Sequence, residues 1–125
     1  MANWQEIGES NCRAASELYS AGHYRSSVSR FYYAAFSLLT YELTRKGVTF
    51  RAGRQTPAHA EVAELIVAHL TQFTEARRFA LVRSTQRLYR LRLDADYFEQ
   101  RLDRQTAQVA RREAEKVFRY FGVNP

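Results

Sequence analysis

Apolar residues recur every three or four positions along most of the chain, which is the period of an α-helix and not of a strand. The first stripe begins at Trp4 and stops before Gly22, because glycine readily takes the left-handed conformation at a helix C-terminus. A second helix is predicted over residues 24–46. Residues 28–43 within it are apolar at 11 of 16 positions, and so large an apolar surface is typical of a helix at the centre of a bundle.

Residues 48–56 are predicted to form a loop before a third helix. Thr56 and Pro57 are typical of a helix start, with Thr as N-cap and Pro as the first helical residue. The third helix is therefore expected over residues 57–73. Its stripe consists of His59, Val62, Ile66, His69 and Phe73.

A fourth helix is predicted over residues 79–97 and a fifth over residues 103–121, with Asp103 as N-cap of the fifth. The pattern leaves open whether the two are separated near residues 98–103. With no strand pattern elsewhere, we expect an all-α, up-and-down bundle of about five helices. At this length we also expect a single domain over residues 1–125.

The charge balance is basic, with a formal net charge of +6. Of the 19 basic residues only Lys46 and Lys116 are Lys, and Arg carries the planar fork that matches phosphate. A GC-rich genome explains the count of Arg equally well. The single Cys12 excludes an internal disulfide and fits a reducing compartment. With no long apolar run and no secretory pattern, we expect a cytoplasmic protein without a membrane span.

The familiar catalytic and metal-binding motifs are missing from the sequence. His59 and His69 share a stripe, but ten residues of helix place them about 15 Å apart, too far to hold one metal ion. Neither a zinc motif, nor a serine nucleophile elbow, nor a glycine-rich phosphate loop occurs. We therefore expect no metal and no cofactor.

The most informative charge pattern lies between residues 77 and 92, which include six Arg and no acidic residue. Arg83, Arg87 and Arg90 follow the spacing of a single helix face. One interpretation is a row that contacts RNA phosphates, with Tyr89 available to stack on a base. The other is a solvated face whose charge is offset by acidic residues of neighbouring helices.

Several short patterns then follow one another along the chain. They are SRFYYAAF at residues 29–36, a His at the start of the third helix, LYRLRLDADY at residues 88–97, and a closing helix to Phe121. In this order they resemble a small prokaryotic HEPN domain over nearly the whole chain. The resemblance implies a helical bundle, frequent homodimerisation through the central helices, and partnership with a minimal nucleotidyltransferase. It also implies a place in toxin–antitoxin or phage-defence systems, where many members are metal-independent ribonucleases.

The nuclease members of that family resemble one another at an Arg, four to six intervening residues and then a His, which is often followed by x-Tyr. In that register this chain has Arg90 and Tyr97, but Ala95 stands where the His is expected, and Ala cannot carry a proton. Arg54 and His59 also fit the spacing, although they lie in a loop and at a helix start. They are the catalytic candidates if the chain is an active ribonuclease.

Arg92, Asp96 and Tyr97 stand in place of the nuclease motif. One helical turn separates Arg92 from Asp96, so the two can form an ion pair with a structural role. In the alternative interpretation, Arg92 holds a nucleotide phosphate while Tyr97 stacks on the base or is modified by a partner.

The leading hypothesis is a dimeric HEPN-type module that binds RNA or a nucleotide beside a nucleotidyltransferase partner. Arg83 and Arg87 are expected to contact phosphates, and Arg90, Arg92 and Tyr97 to form the pocket. One alternative is an active ribonuclease toxin. The other is a non-catalytic scaffold whose basic helix docks an acidic partner protein.

Overall fold

The structure, a computed structural model, describes residues 3–99 and 101–125. These residues form five α-helices and one short 3-10 turn, without a strand, which confirms the predicted all-α bundle. The helices are α1 (Trp4–Ser20), α2 (Tyr24–Arg45), α3 (His59–His69), α4 (Glu75–Tyr97) and α5 (Arg104–Tyr120).

The ends of α1 and α2 lie where the sequence predicts them. Gly22 and Gly47 follow the two helices with φ of +83° and +82°, the left-handed conformation that costs glycine least. At the other end of α1, the side chain of Asn3 accepts a hydrogen bond from the Glu6 amide at 2.9 Å, which caps the helix.

The prediction for the third helix is wrong at both ends. Its N-cap is Ala58 and not Thr56, because the Glu61 carboxylate accepts a hydrogen bond from the Ala58 amide at 2.7 Å. Ala58 itself has an extended backbone, and His59 becomes the first helical residue. At the C-terminal end, Leu70 leaves the helical conformation at φ −87° and ψ 59°, so α3 ends four residues before the predicted Phe73.

The fourth helix begins four residues earlier than predicted, since Thr74 acts as its N-cap and accepts from the Arg77 amide at 3.2 Å. A break after Tyr97 separates α4 from α5, which settles the boundary that the sequence left open. Asp103 caps α5 as predicted, and its side chain accepts from the Thr106 amide at 2.9 Å.

The second helix is the central one, as its apolar surface predicts, and it packs against each of the other four. Close approach to α1 depends on Gly8, where an added Cβ would lie 3.0 Å from the Ala34 carbonyl oxygen. Along α2 the consecutive side chains of Phe31, Tyr32 and Tyr33 are 0%, 4% and 39% exposed. Tyr33 therefore reaches the surface from a buried helix.

The core lies between α2 and the surrounding helices. Its largest fully buried side chains include Phe31, Leu38, Leu39, Ile66, Leu70, Leu81, Leu88 and Phe118. Within the two described ranges, no helix combines the length and the apolar character that crossing a lipid bilayer requires.

Candidate nucleotide site around Arg92

The guanidinium of Arg92 lies inside a group of tyrosine rings contributed by α2 and α4. Each of four ring centroids is within 6.0 Å of its central carbon, which is the range of a cation–π interaction. The four distances are 5.5 Å to Tyr32, 5.4 Å to Tyr33, 6.0 Å to Tyr89 and 5.8 Å to Tyr97.

An ion pair holds the Arg92 side chain in this position. Its Nε donates to Oδ2 of Asp96 at 2.9 Å, and Ser29 of α2 donates its hydroxyl hydrogen to the other carboxylate oxygen. The side chains of Arg92 and Asp96 are 18% and 30% exposed, so solvent screens the pair only in part. Burial acts against the charged form of Arg92, but Tyr33 and Asp96 outweigh it and raise the pKa.

His59 joins the same group from the start of α3. Its ring stacks on that of Tyr89 with centroids 3.2 Å apart, and its Nδ1 lies 3.2 Å from the Tyr32 hydroxyl. Burial lowers the pKa of His59, and the positive charge of Arg92 lowers it further. The imidazole is therefore held in its neutral form at neutral pH. We call Tyr32, Tyr33, His59, Tyr89, Arg92, Asp96 and Tyr97 the Arg92 cluster.

The Arg92 cluster opens to solvent at the C-terminal end of α4. Tyr97 is 68% exposed, and beside Asp96 an open groove of about 610 Å³ runs between α1, α2 and α4. That volume suits a small ligand. Its lining residues are Leu18, Arg25, Ser26, Ser29, Arg30, Ala95 and Asp96.

Arg25 fixes where α4 ends at this opening. Its guanidinium donates to the main-chain carbonyl oxygens of Ala95 and, at 2.8 Å, of Phe98. Cationic groups at a helix C-terminus satisfy carbonyls that have no partner within the helix. Arg25 therefore anchors the turn that presents Tyr97.

The other Arg residues singled out in the sequence lie elsewhere on α4. Arg90 is two residues from Arg92, which turns it by about 200° around the helix, and its side chain is exposed. Arg87 donates to Glu113 of α5 at 3.0 Å. Arg83 is exposed on the same outer side. The structure thus brings Arg92 and Tyr97 together but leaves Arg83, Arg87 and Arg90 outside the cluster.

Arg54 and His59 are not brought together either. Arg54 is exposed and lines a separate groove beside Trp4 and Thr44, whereas His59 lies in the Arg92 cluster. Ala95, at the position of the expected His, is 2% exposed and packs in the core.

Sequence reasoning missed the contributions of Tyr32, Tyr33 and Ser29. All three belong to the SRFYYAAF pattern, which therefore marked the segment of α2 that contributes to the site. Their contacts with Arg92 and Asp96 depend on how α2 packs against α4, which the pattern does not specify. In the described part of the chain, no three His, Cys, Asp or Glu residues are grouped so that they could hold a metal ion.

Comparison with known proteins gives one match. A family model described as the HEPN domain matches residues 1–123. No curated protein and no solved structure matches the chain.

Proposed function

The chain belongs to the HEPN family, and on that premise we propose that it is an RNA- or nucleotide-binding module whose pocket is the Arg92 cluster. One observation carries the proposal: a guanidinium with a fixed orientation lies among tyrosine rings, one of which is 68% exposed. Arginine binds phosphate through its fork, and exposed aromatic rings stack on bases. Arg92 would contact the phosphate and Tyr97 the base.

A nucleotide-binding measurement tests this pocket. Because Tyr97 is exposed, Tyr97→Ala should leave the fold intact and weaken binding of a fluorescent mononucleotide about tenfold, since base stacking contributes roughly 1–3 kcal/mol. Phe79→Ala is the matched control, because Phe79 is an exposed aromatic residue of α4 outside the cluster. Equal affinity of the Tyr97→Ala and wild-type proteins would contradict the proposal.

The remaining expectations about partners are part of the same proposal. We propose one domain over residues 1–125, a homodimer, and a minimal nucleotidyltransferase partner in a toxin–antitoxin or defence pair. Family membership supports these statements as a group. Light scattering of the purified protein tests the dimer, and co-purification with the product of a neighbouring gene tests the pair. Co-purification without any RNA or nucleotide binding would favour the scaffold alternative.

A second candidate function, metal-independent RNA cleavage, is favoured by the position of His59 in the cluster. In this mechanism neutral His59 takes the proton of a ribose 2′-hydroxyl, and the 2′-oxygen forms a bond to phosphorus. The bond from phosphorus to the 5′-oxygen then breaks, and the leaving oxygen takes the proton back from His59. Arg92 stabilises the charge on the phosphorane, and the products are a 2′,3′-cyclic phosphate and a 5′-hydroxyl.

Cleavage of a labelled RNA in EDTA tests this candidate. His59→Ala should reduce the rate at least a hundredfold, because positioned acid–base groups contribute roughly 10²–10⁴ in rate. His69→Ala, an exposed His of the same helix, and Arg54→Ala should leave the rate unchanged. Cleavage that persists in His59→Ala would exclude His59 as the base.

A further inference from the structure

The outer face of α4 carries two exposed aromatic residues that take no part in the core. Phe79 and Tyr97 are 43% and 68% exposed, and Arg83 and Arg90, also exposed, lie between them in sequence. Neighbouring members of this set are four, seven and seven residues apart, close to whole turns of a helix with about 3.6 residues per turn. These four residues therefore lie along one side of the helix, which we call the α4 track, and at its end the ring of Tyr97 leans toward Arg92.

Among the described residues, no acidic side chain forms an ion pair with the two arginines of the α4 track, Arg83 and Arg90. No acidic residue of α4 occurs between positions 77 and 92. These two guanidinium groups are thus available to an anionic ligand.

Arg87 differs from Arg83 and Arg90 because it forms an ion pair with an acidic residue of α5. The carboxylate of Glu113, 3% exposed, accepts from Arg87 at 3.0 Å and from Lys116 at 3.2 Å. Burial alone would raise the pKa of Glu113, but hydrogen bonds from Ser84 and Lys116 and the charges of Lys116 and Arg87 lower it. The carboxylate therefore stays ionised and holds Arg87 toward α5.

We propose that the α4 track binds single-stranded RNA, a proposal that rests on the RNA-binding function above and specifies its ligand. Aromatic rings that alternate with cations suit a single strand, whose bases stack on the rings while its phosphates meet the cations. A duplex keeps its base faces stacked inside and offers only its edges and backbone. The two exposed rings therefore favour the single strand over the duplex.

The dimensions of the α4 track agree with a short strand that ends in the Arg92 cluster. From Phe79 to Tyr97 the helix rises about 27 Å, a length that roughly four to eight nucleotides span. Tyr97 belongs to both surfaces, because its ring lies 5.8 Å from the Arg92 guanidinium. A strand on the track thus delivers its terminal nucleotide to the pocket.

Fluorescence anisotropy with a labelled ten-nucleotide RNA tests the proposal. Phe79→Ala should weaken binding of this RNA about tenfold and leave mononucleotide binding unchanged, because Phe79 lies far from the pocket. Arg83→Gln with Arg90→Gln should reduce the salt dependence, lowering the magnitude of the slope of log K against log salt by about 0.7 per charge removed. Arg13→Gln with Arg54→Gln removes the same charge from other exposed positions and serves as the control.

Each outcome decides between the pocket and the track. Loss of RNA affinity in Tyr97→Ala but not in Phe79→Ala would overturn the track while the pocket stands. Equal binding of a duplex and a single strand, with no effect of Phe79→Ala, would also overturn it. If the protein bound neither the mononucleotide nor the RNA, the proposed function itself would be wrong. Capture of an acidic protein by Arg83 and Arg90, with no RNA binding, would assign the face to that partner.

Discussion

The inner and outer faces of α4 both carry arginine side chains close to aromatic rings, but the two faces differ in how far these groups are exposed and paired. On the inner face Arg92 is 18% exposed, paired with Asp96 and enclosed by tyrosine rings. On the outer face Arg83 and Arg90 are exposed and unpaired among the described residues, and the rings near them are open to solvent. A guanidinium held in one orientation can bind a phosphate in a defined geometry. An exposed guanidinium without an ion-pair partner attracts an anion without fixing its orientation. Under the proposed function, the inner face would orient a bound nucleotide and the outer face would attract the RNA strand.

Buried and exposed aromatic residues around Arg92 should differ most in their contribution to stability. Tyr32 is 4% exposed and contacts the rings of Tyr89 and His59, so Tyr32→Ala should lower the free energy of unfolding by about 3–5 kcal/mol, as for other buried aromatic residues. Tyr97→Ala, at 68% exposure, should change it by less than about 0.5 kcal/mol. Urea denaturation of the two variants measures both. A loss in Tyr97→Ala as large as that in Tyr32→Ala would contradict the exposed position of Tyr97, and a negligible loss in Tyr32→Ala would contradict its burial.

Much of this contrast could be predicted from helical spacing alone. Leu81, Leu88 and Ala95 fall on one side of α4 and are buried, and the outward position of Arg83 follows from the same period. Spacing also separates Arg92 from Arg83, since it places Arg92 nearer the apolar side. These features depend only on one helix and its periodicity.

The Arg92 cluster itself depends on contacts between helices, which a single-helix pattern does not specify. His59 is the first residue of α3 and stacks on Tyr89 of α4. The helix begins there and not at Pro57, and the Glu61 carboxylate accepts a hydrogen bond from the amide of its N-cap residue, Ala58. Thr56 followed by Pro57 was the stronger local signal, so the prediction placed the helix start two residues early. The hydrogen bond between the Glu61 carboxylate and the Ala58 amide thus outweighs the local preference of Thr56 and Pro57 for starting a helix.

Titration of His59 tests whether the inner face acts as one electrostatic unit. Burial and then the charge of Arg92 lower the pKa of His59, so Arg92→Gln should move that pKa back toward its ordinary value of about 6.5. Arg90→Gln, on the outer face, should leave it unchanged. NMR of the imidazole ring measures both, and equal shifts in the two variants would refute the separation of the faces.

The same pKa predicts how stability depends on pH. Because His59 binds a proton less readily in the fold than in the unfolded chain, its contribution to stability is complete above the unfolded pKa of about 6.5. That contribution falls as the pH decreases below this value toward the lowered pKa of the folded state. In His59→Gln this part of the pH dependence should disappear from urea denaturation curves measured between pH 5 and 7, a window set by the ordinary histidine pKa of about 6.5.

The smallest expected effect concerns like charges on the outer face. Arg83 and Arg87 are four residues apart, so their repulsion costs a few tenths of a kcal/mol, about 0.2–0.5 kcal/mol at low salt. Arg83→Gln should therefore raise the free energy of unfolding slightly, and the gain should fade as salt screens the charges. Arg87→Gln should lower stability instead, because the buried carboxylate of Glu113 loses a partner at 3.0 Å. Denaturation at low and high salt measures the two signs, and a loss of stability in Arg83→Gln would mean that Arg83, like Arg87, is held by a partner and is not free to meet RNA.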